Sequence, residues 1–104
     1  MQDAIFVVEL DVIEEKSLND IITYALDYPR MVLTEAKPLA PNGATLPDFA
    51  FGLYVGYISG VFFDGFLRRN KRFLNEEEMS GFHSVLFNRT PEIWLKIKAH
   101  LQLK

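Results

Sequence analysis

Hydrophobic and polar residues alternate near the start of the chain. Residues 4–13 read AIFVVELDVI, and every second position from Phe6 to Val12 is apolar. The intervening positions end in the acidic residues Glu9 and Asp11. Period-two alternation with many β-branched residues is typical of a strand that has one polar face. The pattern therefore predicts a first strand over residues 4–13.

A helical period replaces this alternation after Ser17. Ser17 and Asp20 have the spacing of a capping box, the arrangement in which two side chains satisfy the free N–H groups at a helix start. Apolar residues then recur at helical spacing, at Leu18, Ile21, Ile22, Ala25 and Leu26. Pro29 ends the pattern, because the residue before a proline avoids the helical conformation. We expect a helix over residues 18–28.

The next segment, residues 31–37, lies between Pro29 and Pro38. Its sequence, MVLTEAK, is short and partly β-branched, which predicts a second strand. Three prolines then flank Asn42-Gly43 between residues 38 and 47, and this composition is typical of a loop with a central turn. The first half of the chain is thus predicted as strand, helix, strand, with a crossover that joins two parallel strands.

The longest apolar stretch runs from Phe49 to Leu67 and contains 13 apolar residues in 19. Before it, Thr45 fits a helix N-cap and Asp48 fits the positive end of the first turn. Three glycines follow at intervals of four, at Gly52, Gly56 and Gly60. In a helix they form one stripe on which another backbone, from this chain or from a second copy, can pack closely. The pattern predicts a helix, and a β-hairpin turning at residues 59–60 is the alternative that the aromatic and β-branched residues suggest.

A basic run and an acidic run separate the apolar stretch from the C-terminal part of the chain. The basic run consists of Arg68, Arg69, Lys71 and Arg72. Asn75 and Glu78 then have capping-box spacing around the acidic residues 76–78. Apolar residues follow at helical spacing, at Met79, Phe82, Val85 and Leu86. These features predict an amphipathic helix that ends near Asn88.

A second C-terminal helix is predicted to begin at Thr90 and Pro91, since proline is favoured in the first turn of a helix. Its expected buried face consists of Ile93, Trp94, Ile97 and Leu101. Trp94 is expected to anchor this helix on the rest of the domain. An exposed Trp94 would instead mark a surface that binds a partner, because exposed tryptophans are concentrated at interfaces.

Together these elements predict an α+β fold in one domain over residues 1–104, because a chain of 104 residues has little room for two hydrophobic cores. In order, the prediction is strand, helix, strand, a long apolar glycine-spaced helix or hairpin, and two amphipathic helices. The first residues lack the basic region of a secretory signal peptide, and the acidic residues Glu9 and Asp11 interrupt the apolar stretch that follows. That feature and the absence of cysteine predict a cytoplasmic protein.

The sequence offers no recognisable catalytic, cofactor or metal motif. The absence of cysteine excludes disulfides, cysteine-ligated metal centres and thiol catalysis. No serine has a Gly-x-Ser-x-Gly context, and the glycine-spaced segment lacks the lysine of a phosphate-binding loop. We interpret His83 and His100 as structural or surface residues, because no further ligands stand near them in sequence. The expectation is a protein that is not an enzyme and has no cofactor and no metal site.

Charge makes nucleic-acid binding a third-ranked hypothesis. The formal net charge is −3, so the chain as a whole does not attract polyanions. The basic run 68–72 has enough charge for a few phosphates, but cations at a helix C-terminus also complement the helix dipole, and residues 76–78 can balance them. Asp64 stands four residues before Arg68, a spacing that predicts an ion pair. A buried, unpaired Asp64 would instead be a candidate acid or base.

The leading functional hypothesis is a small, soluble interaction protein, such as a regulator, adaptor, inhibitor or immunity-type partner, that acts as a homodimer. The hypothesis depends on the absence of recognisable catalytic, cofactor and metal motifs and on an excess of aromatic residues: nine Phe, four Tyr and one Trp. A domain of this size leaves much apolar area exposed. The candidate interface residues are Gly52, Gly56, Gly60 and Trp94. The alternative is a membrane-associated protein that uses residues 49–67 as a span, although Asp64 inside that segment is costly at mid-bilayer.

Overall fold

Three long helices and two short ones make up the part of the chain that the computed structural model describes, which is residues 10–34, 36–40, 42 and 45–101. In chain order the helices are α1 (Val12–Asp27), α2 (Pro29–Leu33), α3 (Ala36–Leu39), α4 (Leu46–Asn70) and α5 (Glu76–Leu101). No strand occurs among these residues, so the predicted α+β class is wrong and the fold is all-helical.

Helix α1 begins earlier than the predicted helix, at the end of the segment that we expected to be a strand. The Asp11 carboxylate caps it by accepting a hydrogen bond of 2.8 Å from the Glu14 N–H. Ser17 therefore lies inside the helix and does not cap it. The buried positions of α1 are Glu14, Leu18, Ile22, Ala25 and Leu26. An acidic residue thus occupies the first buried position of α1, so the apolar pattern does not show where the helix starts. Residues 4–9 of the expected strand lie outside the described residues.

The predicted strand over residues 31–37 is also wrong. Pro29 stands in the first turn of α2, where the missing N–H of proline removes no helical hydrogen bond. The segment between Pro29 and Pro38 then forms α2 and the single turn of α3, with Val32, Leu33 and Ala36 buried. Proline here begins a helix as well as ending one, and the sequence pattern did not distinguish the two roles.

Helix α4 confirms the helical interpretation of the apolar stretch and excludes the hairpin. It starts at the predicted cap, where the Asp48 N–H donates to the Thr45 hydroxyl over 3.4 Å. Its buried residues recur every four positions, at Ala50, Tyr54, Ile58, Phe62 and Phe66. It ends at Lys71, which adopts the left-handed conformation (φ 59°) and donates its N–H to the Leu67 carbonyl over 2.8 Å.

The left-handed conformation of Lys71 gives a stability prediction. A side chain in this region of the Ramachandran map is strained, whereas glycine is not. We expect Lys71→Gly to raise the free energy of unfolding by about 1 kcal/mol in a urea titration. Lys71→Ala is the matched control, because it removes the charge and keeps the strain. An equal gain in both variants would contradict this explanation.

Helix α5 is continuous, so the predicted break into two C-terminal helices is wrong. The predicted capping box is confirmed: the Glu78 N–H donates to Asn75 Oδ1 over 2.8 Å, and the Asn75 N–H donates to the Glu78 carboxylate over 2.9 Å. The helix continues through Pro91, which cannot donate a hydrogen bond to the Phe87 carbonyl four residues earlier. The Thr90 hydroxyl donates to that carbonyl instead, over 2.8 Å.

One cluster of buried side chains holds the helices together. Helices α1, α4 and α5 each pack on the other two, and α2 and α3 lie against α4. Phe62 of α4 stacks on Phe82 of α5 with ring centroids 5.5 Å apart, and Phe66 lies 6.1 Å from Phe62. One side of α4 is therefore packed in the core, and the opposite side of this helix lies at the surface.

Candidate functional site

The surface side of α4 contains the three spaced glycines. Gly52, Gly56 and Gly60 are all exposed, and a Cβ atom added at any of them meets no atom within 4 Å. The described part of the chain therefore does not pack on this stripe.

Larger side chains line the glycine stripe on both sides. Because neighbouring residues of a helix project about 100° apart, one flanking row consists of Leu53, Tyr57 and Val61 and the other of Phe51, Val55, Ser59 and Phe63. The first row lies towards α1 and the second towards α5, where the ring centroids of Phe63 and Phe82 are 4.9 Å apart. We call the glycine stripe with these two rows the outer face of α4.

Next to the first row, α1 and α4 enclose a surface groove of about 610 Å³. Its apolar lining residues are Val12, Ile13, Ile21, Tyr24, Tyr57 and Val61. The two charged residues that line it, Lys16 and Asp20, form an ion pair of 2.8 Å with each other. The groove thus extends the outer face of α4 towards α1 and adds no net charge.

Helix α4, including its outer face, carries no charged residue over the fifteen positions 49–63. The nearest charges in sequence are Asp48 before Phe49 and Asp64 after Phe63. A surface helix of a soluble protein usually has charged residues opposite its buried stripe. Here an 18-residue window of α4 has a mean hydropathy of 1.4, and only 28% of that window is buried in the fold. By length and composition alone, α4 could also cross a membrane.

Trp94 lies at the edge of this region and is not buried as predicted. Its side chain is 39% exposed, and its ring stacks on Phe51 at 4.6 Å with the planes 2° apart. Ile93 and Ile97 provide the buried face of the last turns of α5, as the pattern predicted. The proposed role of Trp94 in an interface remains a prediction.

The basic run after α4 is largely neutralised by acidic neighbours. Three ion pairs account for this: Arg68–Asp64 at 2.8 Å, Arg69–Glu14 at 2.6 Å and Arg72–Glu78 at 2.8 Å. The predicted pair of Asp64 with Arg68 is confirmed, so Asp64 is not a buried acid. The hydrogen bonds from Arg72 lower the pKa of Glu78 to about 2. These pairs leave little free charge for phosphates.

A buried carboxylate connects the start of α1 to the end of α4. Glu14 is 4% exposed and accepts two hydrogen bonds from Arg69, of 2.6 and 3.1 Å, and one of 2.9 Å from Asn70. The Arg69 hydrogen bonds lower the pKa of Glu14 against the opposing effect of burial. The apolar pattern did not predict this cluster. Glu14 nevertheless stands four residues before Leu18 and so continues the buried side of α1.

Tyr54 has a polar group in the core. Its side chain is fully buried, and no described residue forms a hydrogen bond with its hydroxyl group. Burial raises the pKa of this phenol. Because an unpaired buried hydroxyl is costly, we expect Tyr54→Phe to raise the free energy of unfolding by about 1 kcal/mol in a urea titration. A loss of stability of the same size would show that the hydroxyl group has a partner.

The histidines do not form a site in the described part of the chain. His83 and His100 are both exposed, and His83 borders a shallow groove with Met79 and Phe87. Across the described ranges, no group of three His, Asp or Glu side chains is placed to hold a metal ion.

Comparisons with protein-family models, with curated protein sequences and with solved structures found no match for this chain.

Proposed function

We propose that this chain is a non-catalytic interaction protein that forms a homodimer through the outer face of α4. The observation that supports the proposal is the outer face of α4, which has no charged residue and contains an open glycine stripe. Covering such a surface removes apolar area from water at a gain of about 25 cal/mol per Å².

The glycines support a contact with another helix. Each glycine inside a helix lowers its stability by about 0.5–1 kcal/mol relative to alanine. Nothing within the described fold requires glycine at residues 52, 56 or 60, because an added Cβ would meet open space. Close approach of a partner backbone gives these residues a physical role, since glycine lets two helices pack at short distance.

A membrane is the alternative partner for the same surface, since α4 is long and apolar enough to cross one. Spanning, however, requires α1 and α5 either to leave α4 or to enter the hydrocarbon with it. Both helices pack along α4 and have exposed charges, among them Lys16, Asp20 and Glu92. Each charge near the bilayer centre costs on the order of 3 kcal/mol. We therefore favour a protein partner.

Gly56→Leu tests the proposal. The Cβ atom of the new side chain meets open space in the single chain, and leucine has a higher helix propensity than glycine. We therefore expect the variant to fold with unchanged circular dichroism. In the dimer it stands where two helices approach, and the mass measured by light scattering should fall from that of a dimer to that of a monomer.

The matched control for this experiment is Ser84→Leu, which adds the same side chain to an exposed position on α5 and should leave the dimer intact. A Gly56→Leu protein that remains dimeric would contradict the proposed surface. The membrane alternative would be supported instead by two results together: the wild-type chain floats with phosphatidylcholine vesicles, and it is monomeric when no vesicles are present.

A further inference from the structure

We infer that residues 92–101 of α5 form an arm that opens from the bundle as a unit at Pro91 while the other helices stay folded. This opening takes place within one chain and does not require the proposed homodimer. Folded proteins open locally in cooperative segments, and the segments with few buried contacts open most easily. Pro91 and the different contacts on its two sides define such a segment in α5.

The backbone of α5 has one connection fewer at Pro91 than elsewhere. Proline has no N–H group, so the helical hydrogen bond to the Phe87 carbonyl is absent at this position. The Thr90 hydroxyl donates to that carbonyl over 2.8 Å. Because Phe87 and Thr90 both precede the proline, this replacement does not connect the arm to the rest of the helix.

The part of α5 before the proline is fixed to both neighbouring long helices. Phe82 stacks on Phe62 of α4 with ring centroids 5.5 Å apart. Arg89 donates hydrogen bonds to two groups of α1, the Asn19 carbonyl over 3.2 Å and the Thr23 hydroxyl over 3.1 Å. Aromatic and polar contacts therefore hold this part up to the residue that stands two positions before the proline.

The arm is held to the bundle by apolar contacts. No side chain of residues 93–101 forms a hydrogen bond or an ion pair with another described residue. Ile93 and Ile97 are the buried residues of the arm, and Trp94 stacks on Phe51 of α4 at 4.6 Å. The arm therefore has fewer kinds of attachment than the part of α5 before it.

One ion pair crosses the boundary, from Arg89 to Glu92 over 2.8 Å. The Glu92 side chain is 49% exposed, and exposed pairs contribute little to stability. Once detached, the arm loses its helical structure, because ten residues are too few for a stable isolated helix. Opening then uncovers Phe51 and the core positions that the arm covers, without unfolding α1 or α4.

Amide hydrogen exchange of the full ¹⁵N-labelled chain, followed by NMR, tests this opening. We expect residues 95–101 to share a common protection factor, at least about tenfold below that of residues 82–87. Phe82→Leu distinguishes separate opening from global unfolding. It weakens a contact that is still present when the arm is open, so the protection of residues 82–87 should fall several-fold while that of the arm stays unchanged.

Pro91→Ala tests the role of the proline. Alanine restores the missing N–H group, and the protection of the arm should rise about tenfold or more. The matched control is Asn88→Ala, an exposed position before the proline, which should leave the protection of the arm unchanged.

Two results would overturn the inference. An equal loss of protection on both sides of the proline in Phe82→Leu would show that the arm opens only when the whole chain unfolds. An arm whose protection is the same in Pro91→Ala as in the wild-type chain would show that the proline is not the boundary.

Discussion

Replacing Phe62 by alanine is expected to lower the free energy of unfolding by about 3–5 kcal/mol. Phe62 is fully buried at the centre of the inward side of α4. Its ring stacks on Phe82 of α5 at 5.5 Å and lies 6.1 Å from Phe66, so its removal leaves a cavity between two helices. A urea titration followed by far-UV circular dichroism measures the loss.

The matched control is Phe73→Ala. Phe73 is 73% exposed in the connection between α4 and α5, and its truncation should change stability by less than about 0.5 kcal/mol. Similar losses in the two variants would contradict the helical register of α4. That register also places the glycines on the outside, so this experiment tests the geometry on which the proposed interface depends.

The second large effect is expected from Glu14→Gln, at about 2–3 kcal/mol of lost stability near neutral pH. The glutamine removes the charge that accepts three hydrogen bonds from Arg69 and Asn70. It also places an amide N–H group near the guanidinium. Glu15→Gln is the control, since the neighbouring Glu15 is exposed and its substitution should have little effect on a urea titration.

The same cluster predicts a pH dependence with a definite sign. The hydrogen bonds from Arg69 hold the pKa of Glu14 in the folded chain below its ordinary value of 4.5. A lowered folded pKa means that the stabilisation is complete above about pH 4.5 and is lost as the pH falls through the folded pKa. The difference in stability between wild type and Glu14→Gln should therefore shrink on acidification. A difference independent of pH between 7 and 3 would contradict this assignment.

The parts of the fold that could be predicted from the sequence are those with a local chemical signal. Thr45 before the apolar stretch and Asn75 with Glu78 before α5 act as caps where the pattern placed them. The four-residue spacing of the glycines also indicated a helix correctly. In each case the signal comes from residues within one helical turn, where residues that are close in sequence are also close in space.

The wrong predictions come from sequence signals that other contacts in the fold override. The alternation before Asp11 resembles a strand, yet Val12 and Ile13 enter α1, because its buried row begins at Glu14 and a partner 55 residues away satisfies that carboxylate. Pro91 resembles a helix start, yet Thr90 satisfies the carbonyl that the proline leaves free. The ion pair with Arg69 joins residues 55 positions apart, which no local rule reveals. The Thr90 hydrogen bond is local, and it replaces the hydrogen bond that the proline removes.

The candidate site shows the same division. The glycine stripe and Trp94 could be identified from spacing and composition. Their exposure could not be predicted, because it depends on which sides of α4 and α5 the other helices cover. The groove between α1 and α4 was not foreseen, since Tyr57 and Val61 meet Ile13 and Tyr24 only after the chain has folded.

Sedimentation equilibrium of the wild-type chain without detergent distinguishes the proposed homodimer from a single chain. The proposed homodimer predicts a mass that rises with concentration, through the micromolar range, from the 12.0 kDa of one chain to twice that value. It also predicts that Gly56→Leu stays at the mass of one chain throughout. A folded wild-type chain with the mass of one chain at every concentration would contradict the account.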